Sequence, residues 1–179
     1  MSVYADMMDR LVLLVHSPDK NIKARLRDRT RLELSFLPEA YQSYSDWTLS
    51  NQLAGVSKLL WVGRRRASFM ARREALGERF ADEVEVATSR EQQELFDKRA
   101  RIEATGTSTN RWITATTVGW THWNVELAAR ATRTLREYEF CAEAVSVFPR
   151  LLADYQTKHS QLLQEYHEKV RPESFRNPP

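Results

Sequence analysis

Residues Trp61 to Glu74 read WVGRRRASFMARRE, setting Arg64, Arg65, Arg66, Arg72 and Arg73 within ten positions, beside Trp61 and Phe69. Guanidinium groups at this density neutralise phosphates and release counterions, and aromatic rings among them stack on unpaired bases. Wound as a helix at ~100° per residue, the segment aligns Trp61, Arg65, Arg72 and Arg79 on one side, with Phe69 close by and Arg64, Arg66 and Arg73 flanking. Leu49, Leu53, Val56, Leu60, Ala67, Met70 and Ala71 fall on the other side as a packing face. With Lys58 added, the expected nucleic-acid-binding set is Lys58, Trp61, Arg64, Arg65, Arg66, Phe69, Arg72, Arg73 and Arg79. Contacts of this kind position a backbone without reading its bases, so little sequence preference is expected.

Two other readings compete. The arginines can form a solvated face that pairs with the acidic stretch Asp82 to Asp97, folded back or supplied by another subunit. Alternatively, Leu59 to Val62 followed by Arg64 to Arg66 has the make-up of an interfacial membrane anchor, but no second apolar anchor lies nearby and this reading ranks last.

Catalytic and metal chemistry finds less support. The four histidines are His16, His122, His159 and His167, and of His122 and His159 only the first has an acid at helical spacing, Glu126. One such pair falls short of the repeated carboxylate and histidine pattern of a metal-binding bundle. There is no glycine-rich phosphate loop and no nucleophile at a strand-to-helix elbow. No catalytic residue, metal or cofactor is expected, and the protein is read as a non-enzyme. Trp112, Trp120 and Trp123 are read as core residues, and Cys141, the single cysteine, as a structural thiol on an apolar stripe.

The elements that must position these residues are read as helical throughout. Glycine is scarce, and prolines gather near proposed helix ends and in the tail. A short helix over Val3 to His16 is followed by Ser17-Pro18-Asp19 as a helix start, with Ser as N-cap and Pro at N1. Within residues 24–36, Arg25, Arg27, Arg29 and Arg31 alternate with Ala24, Leu26, Asp28, Thr30 and Leu32, the period of a strand, although an aspartate would then sit on its apolar face. Helix is preferred there on propensity and on the start signal, with a two-stranded pairing to Trp112–Val118 kept as the alternative. Ser45 caps a third segment expected to run to about Ala104, and Thr109 or Asn110 caps a fourth. Further on, Tyr138, Cys141, Val145, Phe148, Leu152, Tyr155, His159, Leu162 and Tyr166 alternate spacings of three and four, a heptad seam interrupted by Pro149. Tyr138, Val145, Phe148, Leu152, Tyr155, Leu162 and Tyr166 are its expected oligomerisation residues.

The resulting expectation is an all-α, elongated bundle of about five helices in one domain, residues 1–170. Short helices occupy residues 1–45, a long antiparallel helical hairpin with a coiled-coil-like seam occupies 46–170, and 171–179 form an extended tail. The chain of 179 residues is long enough to bury a core without disulfides. Acidic residues ahead of LVLLV argue against a signal peptide, and with the lone cysteine they place the protein in the cytoplasm. The function expected is that of a structural or assembly protein, a homo-oligomer or part of a multi-subunit complex, that binds nucleic acid. A scaffold subunit meeting an acidic neighbour is the alternative, and membrane association the third.

Overall fold

The computed structural model describes residues 3–77, 87 and 89–170. The chain runs α1 (Val3–Asp9), β1 (Val12–His16), β2 (Ile22–Arg27), β3 (Arg31–Phe36), a 3₁₀ turn (Tyr41–Ser43), α2 (Asp46–Leu76), α3 (Arg90–Arg99), β4 (Glu103–Thr107), β5 (Ile113–Val118), β6 (His122–Leu127), α4 (Ala131–Thr134) and α5 (Glu137–Val170). The fold is therefore mixed, two three-stranded antiparallel sheets with helices, and the all-α bundle expected from composition is incorrect.

The error has a local cause at each site. Ile22, Ala24 and Leu26 are buried while Lys23 and the long side chains of Arg25 and Arg27 turn outward, so period-two burial prevails over helix propensity in residues 22–36. Asp28, which would have spoiled a continuous strand, sits in the tight turn between β2 and β3, where Asp28 and Arg29 both have positive φ. The strand pairing kept as an alternative is also corrected, because β2 pairs with β1 and β3 whereas β5 pairs with β4 and β6. Ser17-Pro18-Asp19 is a hairpin turn rather than a helix start: Ser17 N–H donates to Ile22 O at 2.9 Å and Ile22 N–H returns to Ser17 Oγ at 2.9 Å. Serine, proline and aspartate serve turns as readily as helix caps. The third segment starts at Ser45 as expected, its hydroxyl accepting from Thr48 N–H, but α2 ends at Leu76 with Gly77 in a positive-φ conformation. Residues 78–86 and 88 lie outside the described residues, as do Arg79 and the expected tail, 171–179.

Each strand of the second half, and the start of its long helix, follows its counterpart at one offset, 91 residues: Ile22 and Ile113 open β2 and β5, Arg31 and His122 open β3 and β6. Backbone details repeat at the same offset. Lys20 and Arg111, Arg29 and Trp120, Glu39 and Arg130 all have positive φ. Leu37 N–H donates to Asn21 O and Ala128 N–H to Trp112 O, both through a connection of the same length. Asp19 N–H donates to Gln52 of α2, and Asn110 N–H to Glu143 of α5. The chain is thus two α-β-β-β-α units in tandem.

The two units exchange contacts. Helix α2 lies on β1 and β2 of its own sheet and on β6 of the other, and α5 lies on β4 and β5 of its own and on β3 of the first. One core results, with Ile22, Leu49 and Leu53 from the first unit and Ile113, Phe140, Val147 and Leu151 from the second. The expected helical hairpin is incorrect: α2 packs chiefly on β6, α1 and β1, and α5 chiefly on β4, β3 and α3. Alternating spacings of three and four reveal one apolar face of a helix and leave the partner unspecified. Helix α5 passes through Pro149 without a break.

Candidate functional site

Capping at Ser45 and the burial of Leu49, Leu53, Val56 and Ala71 orient α2, and the opposite side of its C-terminal half carries the arginine cluster. Arg65, Arg66, Arg72 and Arg73 are exposed, Lys58 is exposed one to two turns earlier, and Phe69 is 52% exposed between the two arginine pairs. No carboxylate forms an ion pair with these four arginines among the described residues. The carboxylates of α3 meet other partners: Glu94 pairs with Arg90 and with Lys169 of α5, and Asp97 accepts from Gln93. A second basic surface lies on the outward side of the first sheet, where Lys23, Arg25, Arg27 and Arg31 surround one acid, Glu33, which bridges Arg25 and Arg27 at 3.8 and 3.7 Å.

Two members of the expected set turn inward. Trp61 stacks on Trp120 at 4.7 Å between centroids and 14° between planes, so its ring serves the core rather than a nucleobase. Arg64 is half-buried, and burial draws its guanidinium below the ordinary arginine pKa, with the charge of Arg29 acting in the same direction. It remains a cation at any physiological pH. Pattern alone placed Trp61 with the arginines because position 61 lies at the edge of the packing face, and the second unit supplies the ring that claims it.

Between the two units lies a cavity of about 80 Å³, walled by Leu26 and Leu32, by Leu60, Trp61 and Arg64 of α2, by Ala115, Trp120 and Trp123, and by Ala144, Val147, Phe148 and Leu151 of α5. Trp120 also meets Trp123 at 5.6 Å and Tyr155 at 4.8 Å, and Tyr155 stacks on His159 at 5.7 Å. Ser57 and Arg64 are the cavity's polar side chains, and neither takes or gives a proton near neutral pH. Trp112, Trp120 and Trp123, in a segment expected to be helical, occupy a loop, a positive-φ turn and strand β6, because the segment is a hairpin.

The seam residues divide. Leu162 is buried, Val145, Phe148, Leu152, Tyr155 and Tyr166 are partly buried, and Tyr138 is 64% exposed. Leu152 and Tyr155 pack on the chain's own core. The most buried stripe of α5, Phe140, Glu143, Val147 and Leu151, runs beside the seam rather than along it. Burial pushes the Cys141 thiol up to about 11, with Glu137 adding to the shift, which keeps it protonated and unreactive. His122 and Glu126 lie exposed on β6, and no group of three His, Cys, Asp or Glu side chains is placed to hold a metal ion among the described residues. No described helix is long and apolar enough to cross a membrane.

Comparison with protein-family models, with curated proteins and with solved structures returned no match.

Proposed function

We propose that the protein is a non-catalytic binding protein that engages a nucleic-acid backbone through the exposed arm of α2, Arg65, Arg66, Arg72 and Arg73, within a larger assembly. The observation that carries this reading is that four neighbouring arginines are exposed and lack a carboxylate partner among the described residues. Arginine is suited to the task, because its planar fork bonds phosphate oxygens and its hydration is weaker than that of lysine. With Trp61 committed to the core, the grip rests on charge, and binding should show little base preference and a steep salt dependence.

Fluorescence anisotropy with random single-stranded and duplex DNA and RNA tests the reading. Wild-type protein is expected to bind at low salt. Arg65→Glu/Arg72→Glu, still folded by circular dichroism, is expected to lose at least ten-fold in affinity and to flatten the salt slope. Absence of wild-type binding at low salt would refute the proposal.

A further inference from the structure

The two units treat their sheet edges differently. In the second unit, side chains of α5 cover the outer edge of β4: Thr105 N–H donates to Asp154 Oδ2 at 2.8 Å, Arg150 donates to Thr107 O at 3.0 Å and Lys158 Nζ donates to Glu103 O at 2.8 Å. In the first unit the matching strand residues are Val12, Leu14 and His16. Their N–H and C=O groups point away from β2, because the bonds joining Ser17 to Ile22 and Asp28 to Leu11 fix the alternate residues as the paired ones. The helix residues at the positions of Arg150, Asp154 and Lys158 are Leu59, Gly63 and Ala67, which have no side-chain donor or acceptor. No group among the described residues reaches the outward backbone of Val12, Leu14 or His16.

We propose that the β1 edge docks an extended segment of a protein partner as a fourth strand, and that this segment alternates apolar with acidic residues. An edge with three outward residues that no described group pairs is a template for strand addition, which an unoccupied protein would be expected to blunt. The apolar half of the requirement comes from the sheet face that carries α2, where Leu13 meets Gly63 and where Leu59 and Val62 are 44% and 54% exposed. The acidic half comes from charge. Arg27 and Arg25 stand opposite Val12 and Leu14 on β2, Lys23 opposite His16, and Arg31 beyond them, against the single acid Glu33. A second copy of β1 across a two-fold axis would bring the same positive face alongside and set like charges together, so the partner is a different, acidic chain.

The second unit also supplies the test. Leu59→Arg/Gly63→Asp/Ala67→Lys copies the covering side chains of α5 onto α2, and the nearest atom to a Cβ at Gly63 is the end of the Leu13 side chain at 3.4 Å, which leaves room. The probe is a labelled nine-residue peptide of alternating Val and Glu, with an alternately N-methylated version as control. Wild-type protein is expected to bind the first peptide and to protect the Leu14 and His16 amides from hydrogen exchange. The methylated peptide and the covered variant are expected to bind at least ten-fold more weakly. Equal binding by the covered variant, still folded by circular dichroism, would overturn the proposal, as would a wild-type dimer that the covered variant breaks to monomer. The nucleic-acid proposal is scored separately, because Arg65→Glu/Arg72→Glu leaves the edge and its protected amides in place.

Discussion

Single residues decide how each hairpin is tied to its helix, and the two units solve that task with different charges. Glu143 is 6% exposed and accepts from Asn110 N–H at 3.0 Å and from the Asn110 side chain at 2.7 Å, whereas Gln52 performs the backbone part of this role in the first unit at 3.1 Å. Burial alone would raise the Glu143 pKa, but hydrogen bonds from Ser108 and Asn110 outweigh it and hold the carboxyl below its ordinary 4.5. A depressed carboxylate stabilises the fold above its unfolded pKa and loses that contribution as pH falls through the folded one. Glu143→Gln is therefore expected to cost about 1 kcal/mol near pH 7, the difference between a charged and a neutral acceptor. The variant and wild type should converge as pH falls through the folded pKa, which lies below 4.5, in urea titrations run across that range. Parallel curves would show that the charge contributes nothing. None of this was legible beforehand, because Glu143 sits beside the seam and nothing in the sequence pairs it with Asn110. The exposed arginines were legible, since density of charge needs no partner to be seen.

At the scale of elements, the two long helices sit at different heights above their first strands. Gly106 of β4 lets α5 come so close that a Cβ there would lie 2.6 Å from Leu151 N and from Val147 O, while the same position in β1 is Val15. Gly106→Ala is expected to destabilise by about 2–3 kcal/mol, because backbone atoms would have to give way. At about 2–4 °C per kcal/mol for a chain of this size, that is a melting-temperature drop of roughly 5–10 °C. Gly63→Ala in α2 serves as the control: the nearest atom is a flexible Leu13 methyl at 3.4 Å, and alanine suits a helix better than glycine, so stability should hold or rise. Differential scanning calorimetry on both variants decides the matter, and equal losses would refute the difference in packing. The strands themselves were visible as a period-two pattern in residues 24–36 and as a β-branched run in 112–118. Helix propensity and burial compete in these segments, and serine, proline and aspartate suit turns as well as caps, so local sequence alone favours the wrong element. The helices α2 and α5 were legible because thirty or so residues of three-and-four spacing have no rival interpretation.

Over the whole molecule, the tandem relation was hidden in plain sequence because identity at the shared offset is sparse and scattered, and only a few of the identical pairs are buried in both units. Ser17 and Ser108, Ile22 and Ile113, Ala24 and Ala115, and Val56 and Val147 match at the shared offset and are all buried. Surfaces diverged, with arginines on the first sheet where threonines face outward on the second, paired as Thr105 with Thr116 and Thr107 with Thr114. The differing surface residues outnumber the shared buried ones, which masks the repeat in the linear sequence. Its energetic consequence is cooperation between units. Trp61 of the first unit stacks on Trp120 of the second, and α2 and α5 each pack on both sheets. Trp61→Ala is expected to cost about 3 kcal/mol, the low end for aromatic truncations because the ring is partly buried, although it removes nothing from the fold of either hairpin. Unfolding of the wild type should be one transition, coincident by far-ultraviolet dichroism and by tryptophan fluorescence. Trp112, Trp120 and Trp123 report on the second unit while Trp47 and Trp61 belong to the first. Independent units would separate the two signals and leave Trp61→Ala with a loss confined to one of them. A single shifted transition would establish that the shared core, rather than either unit alone, is what folds.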